Sequence, residues 1–200
     1  MNAVEGTKHK ILVTALELFA SNGYAATSVR EIATHADVNV SAFNYHFESK
    51  QGLYAAVINK SKFDLKNYIR NLYISKDNWQ VVDFVSELSD LFHQHRVHIT
   101  ATFKVLLNNV EVTSETILSE DNPSGPPGVE YLIELIKLMT DIKDEETIFK
   151  IAYITMTHLI HKTVCLHSFE EKCLDLPEEH MSWDYSKELN LFLISKLLKN

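Results

Sequence analysis

The sequence is poor in cysteine, proline and glycine: its 200 residues include two Cys, four Pro and five Gly. The two thiols, Cys165 and Cys173, do not form a CxxC pair and are too few for a disulfide framework. Scarce Gly and Pro, with 46% apolar and 23% charged residues, exclude a disordered chain or an all-β fold rich in turns and point to a mostly helical, globular one. Long apolar runs are also missing. None approaches the roughly 18 residues of a membrane span, and Glu5, Lys8, Lys10 and Glu17 interrupt the stretch where a signal peptide would be apolar. A cytoplasmic protein without membrane contact is expected. There is no Gly-rich phosphate loop, no GxSxG and no HExxH, so neither an enzyme nor a bound cofactor is expected.

The net charge of −8 is unevenly spread. Residues 1–76 hold nine Lys+Arg against six Asp+Glu, net +3, whereas residues 77–200 hold ten against twenty-one, net −11. Only the front of the chain is therefore a candidate for phosphate contact.

Apolar residues Ile11, Leu12, Ala15, Leu16 and Phe19 recur at helical spacing after Thr7, an expected N-cap, and Gly23 supplies a stop. Ser28-Val-Arg-Glu31 reads as a capping box opening a short second helix to about Ala36. Asp37-Val-Asn39 suits a tight turn, because Asp tolerates left-handed backbone angles and Asn39 can cap a third helix over 40–46. Ser49 caps a long fourth helix from Lys50 to about Ile74, with Leu53, Val57, Leu65, Ile69 and Leu72 inside. Further helices are expected at about 79–95, 98–118, 128–141, 144–168 and 182–199, with the breaker-rich 121–128 as an exposed loop. The last two helices are apolar on more than one side, which calls for a second subunit.

Two short helices joined by a tight turn, framed by one helix before and a longer one after, form a helix-turn-helix whose second helix enters a major groove. Ile32, Ala33, Val38, Phe43 and Phe47 are spaced as its small core. Val40, Ser41, Ala42 and Asn44 can reach base edges, and Asn44 matches the pairing of an amide with adenine. Thr27, Arg30, Tyr45, His46 and Lys50 are better placed for phosphates.

Thr27-Ser-Val-Arg-Glu-Ile-Ala33, Ala36-Asp-Val-Asn-Val-Ser-Ala-Phe-Asn-Tyr-His-Phe47 and Glu48-Ser-Lys-Gln-Gly-Leu53 closely resemble the TetR family of regulators over about residues 7–58. Asp37 stands where that family usually has Gly, and Asn44 where it often has Tyr. The resemblance implies an all-α protein: a three-helix DNA-binding domain (1–50) and a larger helical effector-binding and dimerisation domain (51–200). It implies double-stranded operator DNA and a second copy of the chain as partners, the latter through the last two helices. It also implies a repressor that leaves its operator when a small molecule enters the larger domain, with the fourth helix as lever.

Expected cavity walls are Phe84, Leu88, Phe92, Phe103, Leu107, Tyr131 and Leu135, with His95, Asn108 and Glu111 as polar contacts. The acidic balance of that half favours cationic or neutral apolar compounds. Two alternatives stay open. One is a regulator of the same fold without an effector. The other is a metal-responsive sensor using His93, His95 and His98 or the helical group His158, His161 and Cys165, or a redox sensor at Cys165.

Overall fold

A computed structural model of the chain describes residues 3–108, 126–169 and 183–198. The described residues are helical: α1 (Ala3–Asn22), α2 (Val29–His35), α3 (Val40–His46), α4 (Lys50–Tyr73), α5 (Val81–Gln94), α6 (Arg96–Asn108), α7 (Val129–Met139), α8 (Glu145–Phe169) and α9 (Trp183–Leu197). No helix among them is long and apolar enough to cross a membrane. Helix α1 begins four residues before the expected cap, so Thr7 lies inside it. The expected 98–118 helix is seen as α6 to Asn108, and its remainder lies outside the described residues.

The chain divides into two compact units, residues 1–62 with 101–123 and residues 63–100 with 124–200. In the first, Ile11, Ala15 and Phe19 of α1, Ile32 of α2, Phe43 of α3, Leu53, Val57 and Ile58 of α4 and Val105 of α6 form one buried cluster. Aromatic edges bind it further. Tyr54 stands edge-on to Phe19 and Tyr24, at 5.5 and 5.1 Å between ring centroids. Its hydroxyl donates to the buried carbonyl of Val105 at 2.6 Å, satisfying two polar groups inside an apolar core.

In the second unit, Leu65 and Ile69 of α4, Phe84, Leu88 and Phe92 of α5, Leu132 and Ile136 of α7, and Ala152, Met156 and Leu159 of α8 are buried. Trp79, expected at the start of α5, precedes that helix. It is buried as the anchor of the α4–α5 link, donating its indole N–H to the carbonyl of Tyr73 at 2.8 Å beneath the ammonium of Lys76. Gly128 opens α7 at φ 82°, where a Cβ would stand 2.7 Å from Cδ1 of Ile69. Backbone angle and space both demand glycine there.

The two-sided character of α8 and α9 is plain. Ile148, Ile151, Ala152 and Leu159 of α8 and Ile194 of α9 face the core, while Phe149, Tyr153, Ile154, Phe192 and Leu193 are each at least 40% exposed. An ion pair between Lys187 and Asp90 ties α9 to α5.

Candidate nucleic-acid interface

Local sequence chemistry builds the helix-turn-helix. Ser28 adopts extended angles and its Oγ accepts the amide of Glu31 at 3.1 Å, while Glu31 accepts the amide of Ser28 at 3.2 Å, completing the expected capping box. The other oxygen of Glu31 accepts from Asn22 at 3.2 Å, fastening the end of α1 to the start of α2. Helix α2 closes with two reciprocal bonds: the amide of Val38 reaches the carbonyl of Ala33 at 3.0 Å, and that of Asp37 reaches Thr34 at 3.2 Å. This is a Schellman ending, with Asp37 in the left-handed position at φ 53° and Val38 folded onto the core. Asn39 then caps α3, its Oδ1 accepting the amide of Ala42 at 2.7 Å.

Helix α3 has two distinct faces. Phe43 and the following Phe47 are buried, 5.9 Å apart between ring centroids. On the other side Val40, Ser41, Asn44 and Tyr45 are exposed, Tyr45 by 76%. Ala42 and His46 are half-buried, and His46 lies edge-on to Tyr45 at 5.0 Å. Arg30 is exposed on α2. A short helix held from behind, with polar and aromatic side chains projecting, is shaped to enter a groove.

Two residues expected at phosphates, Thr27 and Lys50, make bonds within the protein. Thr27 is 1% exposed, and its hydroxyl donates to the carbonyl of Gly23 at 2.8 Å. Lys50 donates to the carbonyls of Tyr24 at 2.7 Å and Thr27 at 2.9 Å, with its ammonium 4.2 Å from the Tyr24 ring centroid. Burial, with Tyr54 alongside, raises the Tyr24 phenol above its ordinary value, so the ring stays neutral under the cation. Sequence reading missed Tyr24 and Tyr54 because their partners are far along the chain; only their aromatic character marks them.

The residues expected around an effector are dispersed. Phe84, Leu88, Phe92 and Leu135 are buried as core of the second unit. Tyr131 lies against Tyr73 at 5.0 Å, and His95 stacks on Tyr68 at 4.0 Å. Phe103 is half-buried in the first unit, and Leu107 is 68% exposed. The side chain of Asn108 and all of Glu111 lie outside the described residues. A cleft of about 690 Å³ in the second unit is lined by other residues, among them Val81, Met139, Thr140, Asp144 and Leu198.

Of the metal candidates, His93 stacks on Trp183 and His95 on Tyr68. His161 Nε2 and Cys165 Sγ are 3.4 Å apart. Among the described residues no three His, Cys, Asp or Glu side chains converge on a metal position.

Comparison with known proteins agrees with this geometry. Residues 11–57 match the family described as bacterial regulatory proteins, tetR family. The chain is 36% identical over 95 residues to a probable HTH-type transcriptional regulator, YttP, of Bacillus subtilis, covering 45% of each. It is 26% identical over 110 residues to the HTH-type negative transcriptional regulator of the icaADBC biofilm operon, IcaR, of Staphylococcus aureus, covering 52% of this chain and 59% of that one. The matches thus span about half the length of these relatives. Solved structures extend the likeness of fold. A TetR-like transcriptional regulator from Rhodococcus superposes with a TM-score of 0.68 at 15% identity, over 97% of this chain and 96% of that one. A regulator from Aquifex aeolicus does so with 0.63 at 18%, over 96% and 99%. Residues 11–57 thus carry the helix-turn-helix of the tetR family of bacterial regulatory proteins, and the chain has the helical fold of solved TetR-like regulators.

Proposed function

We propose that this protein is a transcriptional repressor that binds double-stranded operator DNA as a homodimer and is released by a small molecule entering its larger helical domain. The observation that carries the reading is α3: a buried Phe43/Phe47 face fixes it, and an exposed Val40, Ser41, Asn44, Tyr45 face is free to enter a major groove. Ser41, Ala42 and Asn44 then read base edges, while Arg30, Tyr45 and His46 touch phosphates. Repression follows from the likeness to the Staphylococcus relative, a negative regulator. The exposed apolar side chains of α8 and α9 support pairing with a second copy, since covering the part of each still exposed contributes roughly 0.7–1.5 kcal/mol. A dimer holding two copies of α3 roughly 34 Å apart would match successive major grooves. Helix α4 contributes residues to both compact units and is the lever by which an effector alters that spacing. The role is regulatory, not catalytic, and it is exercised in the cytoplasm.

The test is a gel shift with DNA flanking the protein's own gene at two salt concentrations. Specific binding that weakens with salt supports the reading, and failure to bind any DNA contradicts it.

A further inference from the structure

Buried polar side chains are normally hydrogen-bonded, and the second unit holds a group that is not. His93 Nδ1 near the end of α5, Arg96 Nε and Thr100 Oγ1 on α6, and Trp183 Nε1 at the start of α9 are buried without a partner. These residues are neighbours. The Trp183 ring stacks on His93 with centroids 4.7 Å apart, and Nη1 of Arg96 donates to the carbonyl of His93 at 3.1 Å. Thr100 lies one turn beyond Arg96 on the same face of α6. Asn190, two turns beyond Trp183 on the same face of α9, has its Nδ2 buried and unpaired as well. Thr100 and Asn190 are only 2% and 4% exposed.

What this group lacks is an acceptor. Arginine Nε, indole Nε1 and the amide nitrogen of asparagine can only donate, and the threonine hydroxyl and a histidine nitrogen can do so. The acidic neighbour on α5, Asp90, is bonded to Lys187, so their charges offset one another. Phe92 and Ile99, next in the chain to His93 and Thr100, are buried apolar residues, 0% and 1% exposed.

We propose that these donors bind the carboxylate of a small organic acid with an apolar body. The proposal rests on the effector reading above and names the effector's chemical class. One guanidinium matches one negative charge, whereas a phosphate group brings nearly two against the one guanidinium among these described residues. It reverses the preference for cationic or neutral compounds drawn from bulk acidity, because net charge averages the whole surface and the local donors decide what is held.

The full-length protein is titrated with octanoate and benzoate, with octanamide and benzamide as neutral counterparts, and with octylamine and inorganic phosphate. Melting temperature, release from the operator and the indole N–H resonances are followed. A carboxylate at about 100 times its Kd is expected to raise Tm by roughly 5–10 °C. Of the two indole signals, the one abolished by Trp183→Phe should move, while that of Trp79, already bonded to Tyr73, stays. Trp183→Phe, which keeps a ring on His93, and Arg96→Gln should each weaken carboxylate binding about tenfold or more. Equal stabilisation by amides or octylamine, a response to phosphate alone, or undiminished octanoate binding by both variants overturns the proposal while leaving the effector reading intact. Silence from both carboxylates also overturns it, and silence from every compound, in Tm and in operator release, removes the effector reading too.

Discussion

Lys50, the first residue of α4, donates to the carbonyl of Thr27 at 2.9 Å, closing a span of 23 residues and joining the fourth helix to the residue before the α2 cap. The same ammonium holds the carbonyl of Tyr24 and lies over its ring. Hydrogen bonds to a charged donor contribute about 1.5–3 kcal/mol, and a cation over an aromatic face about 0.5–2 kcal/mol. Lys50→Met is therefore expected to destabilise the protein by about 2 kcal/mol, lowering Tm by roughly 4–8 °C. Urea unfolding measures this directly. Unchanged stability with weakened DNA binding would return Lys50 to a phosphate role.

Asp37 occupies the left-handed position of the helix-turn-helix turn at φ 53°. Left-handed angles cost an ordinary L-residue about 1–2 kcal/mol, and a β-branched one fares worst. Asp37→Val should lose about 1–2 kcal/mol of stability, whereas Asp37→Gly should lose none beyond the few tenths expected from greater unfolded-chain freedom. Chemical denaturation of the two variants side by side checks the backbone argument. Equal losses would refute it.

The helix-turn-helix was legible in the sequence for a physical reason: its determinants are local. Ser28 with Glu31, Asp37 in the turn and Asn39 as cap act within a few residues of one another, and each forms the bond its chemistry predicts. The intramolecular partners of Lys50 and Thr27 were not legible. Lysine and threonine at a helix-turn-helix edge look alike in sequence whether they serve DNA or the fold, and only packing brings the Tyr24 carbonyl to the ammonium. The burial of the expected effector walls was illegible for the same reason. Apolar spacing marks Phe84, Leu88 and Leu107 as helix-face residues, but core and surface are distinguished only by what the rest of the chain places against them.

Helices α8 and α9 leave Ile154 and Phe192 exposed by 55% and 56%. If a second copy covers them, Ile154→Glu with Phe192→Glu should convert the dimer to a folded monomer, because buried unpaired carboxylates are strongly unfavourable. Sedimentation equilibrium with circular dichroism separates a monomer from a misfolded chain. A stable dimer bearing both substitutions would place the interface elsewhere.

Burial holds the imidazole of His158 below its ordinary value, with Lys162 and His161 adding to the effect, and its Nε2 has no hydrogen-bond partner. The native state thus binds fewer protons here than the unfolded chain, so this contribution to stability is present at high pH. It is lost progressively as pH falls through the unfolded-state value of about 6.5. Unfolding free energy followed from pH 8 to pH 5 should decline more steeply in the wild type than in His158→Gln, an expectation for roughly that window. Parallel slopes would show that His158 is not responsible.

The exposed face of α3 is tested most directly by substituting Asn44 and Tyr45, two of its exposed polar side chains. Asn44→Ala and Tyr45→Ala remove little packing, so stability should stay within about 0.5 kcal/mol of wild type. Operator affinity measured by gel shift should fall by about 1–3 kcal/mol for Asn44→Ala, with relaxed preference at one base pair. For Tyr45→Ala it should fall with similar loss on all sequences, as removal of a phosphate contact requires. Both variants binding operator DNA as tightly and as selectively as wild type would contradict the assignment of α3 as the reading helix.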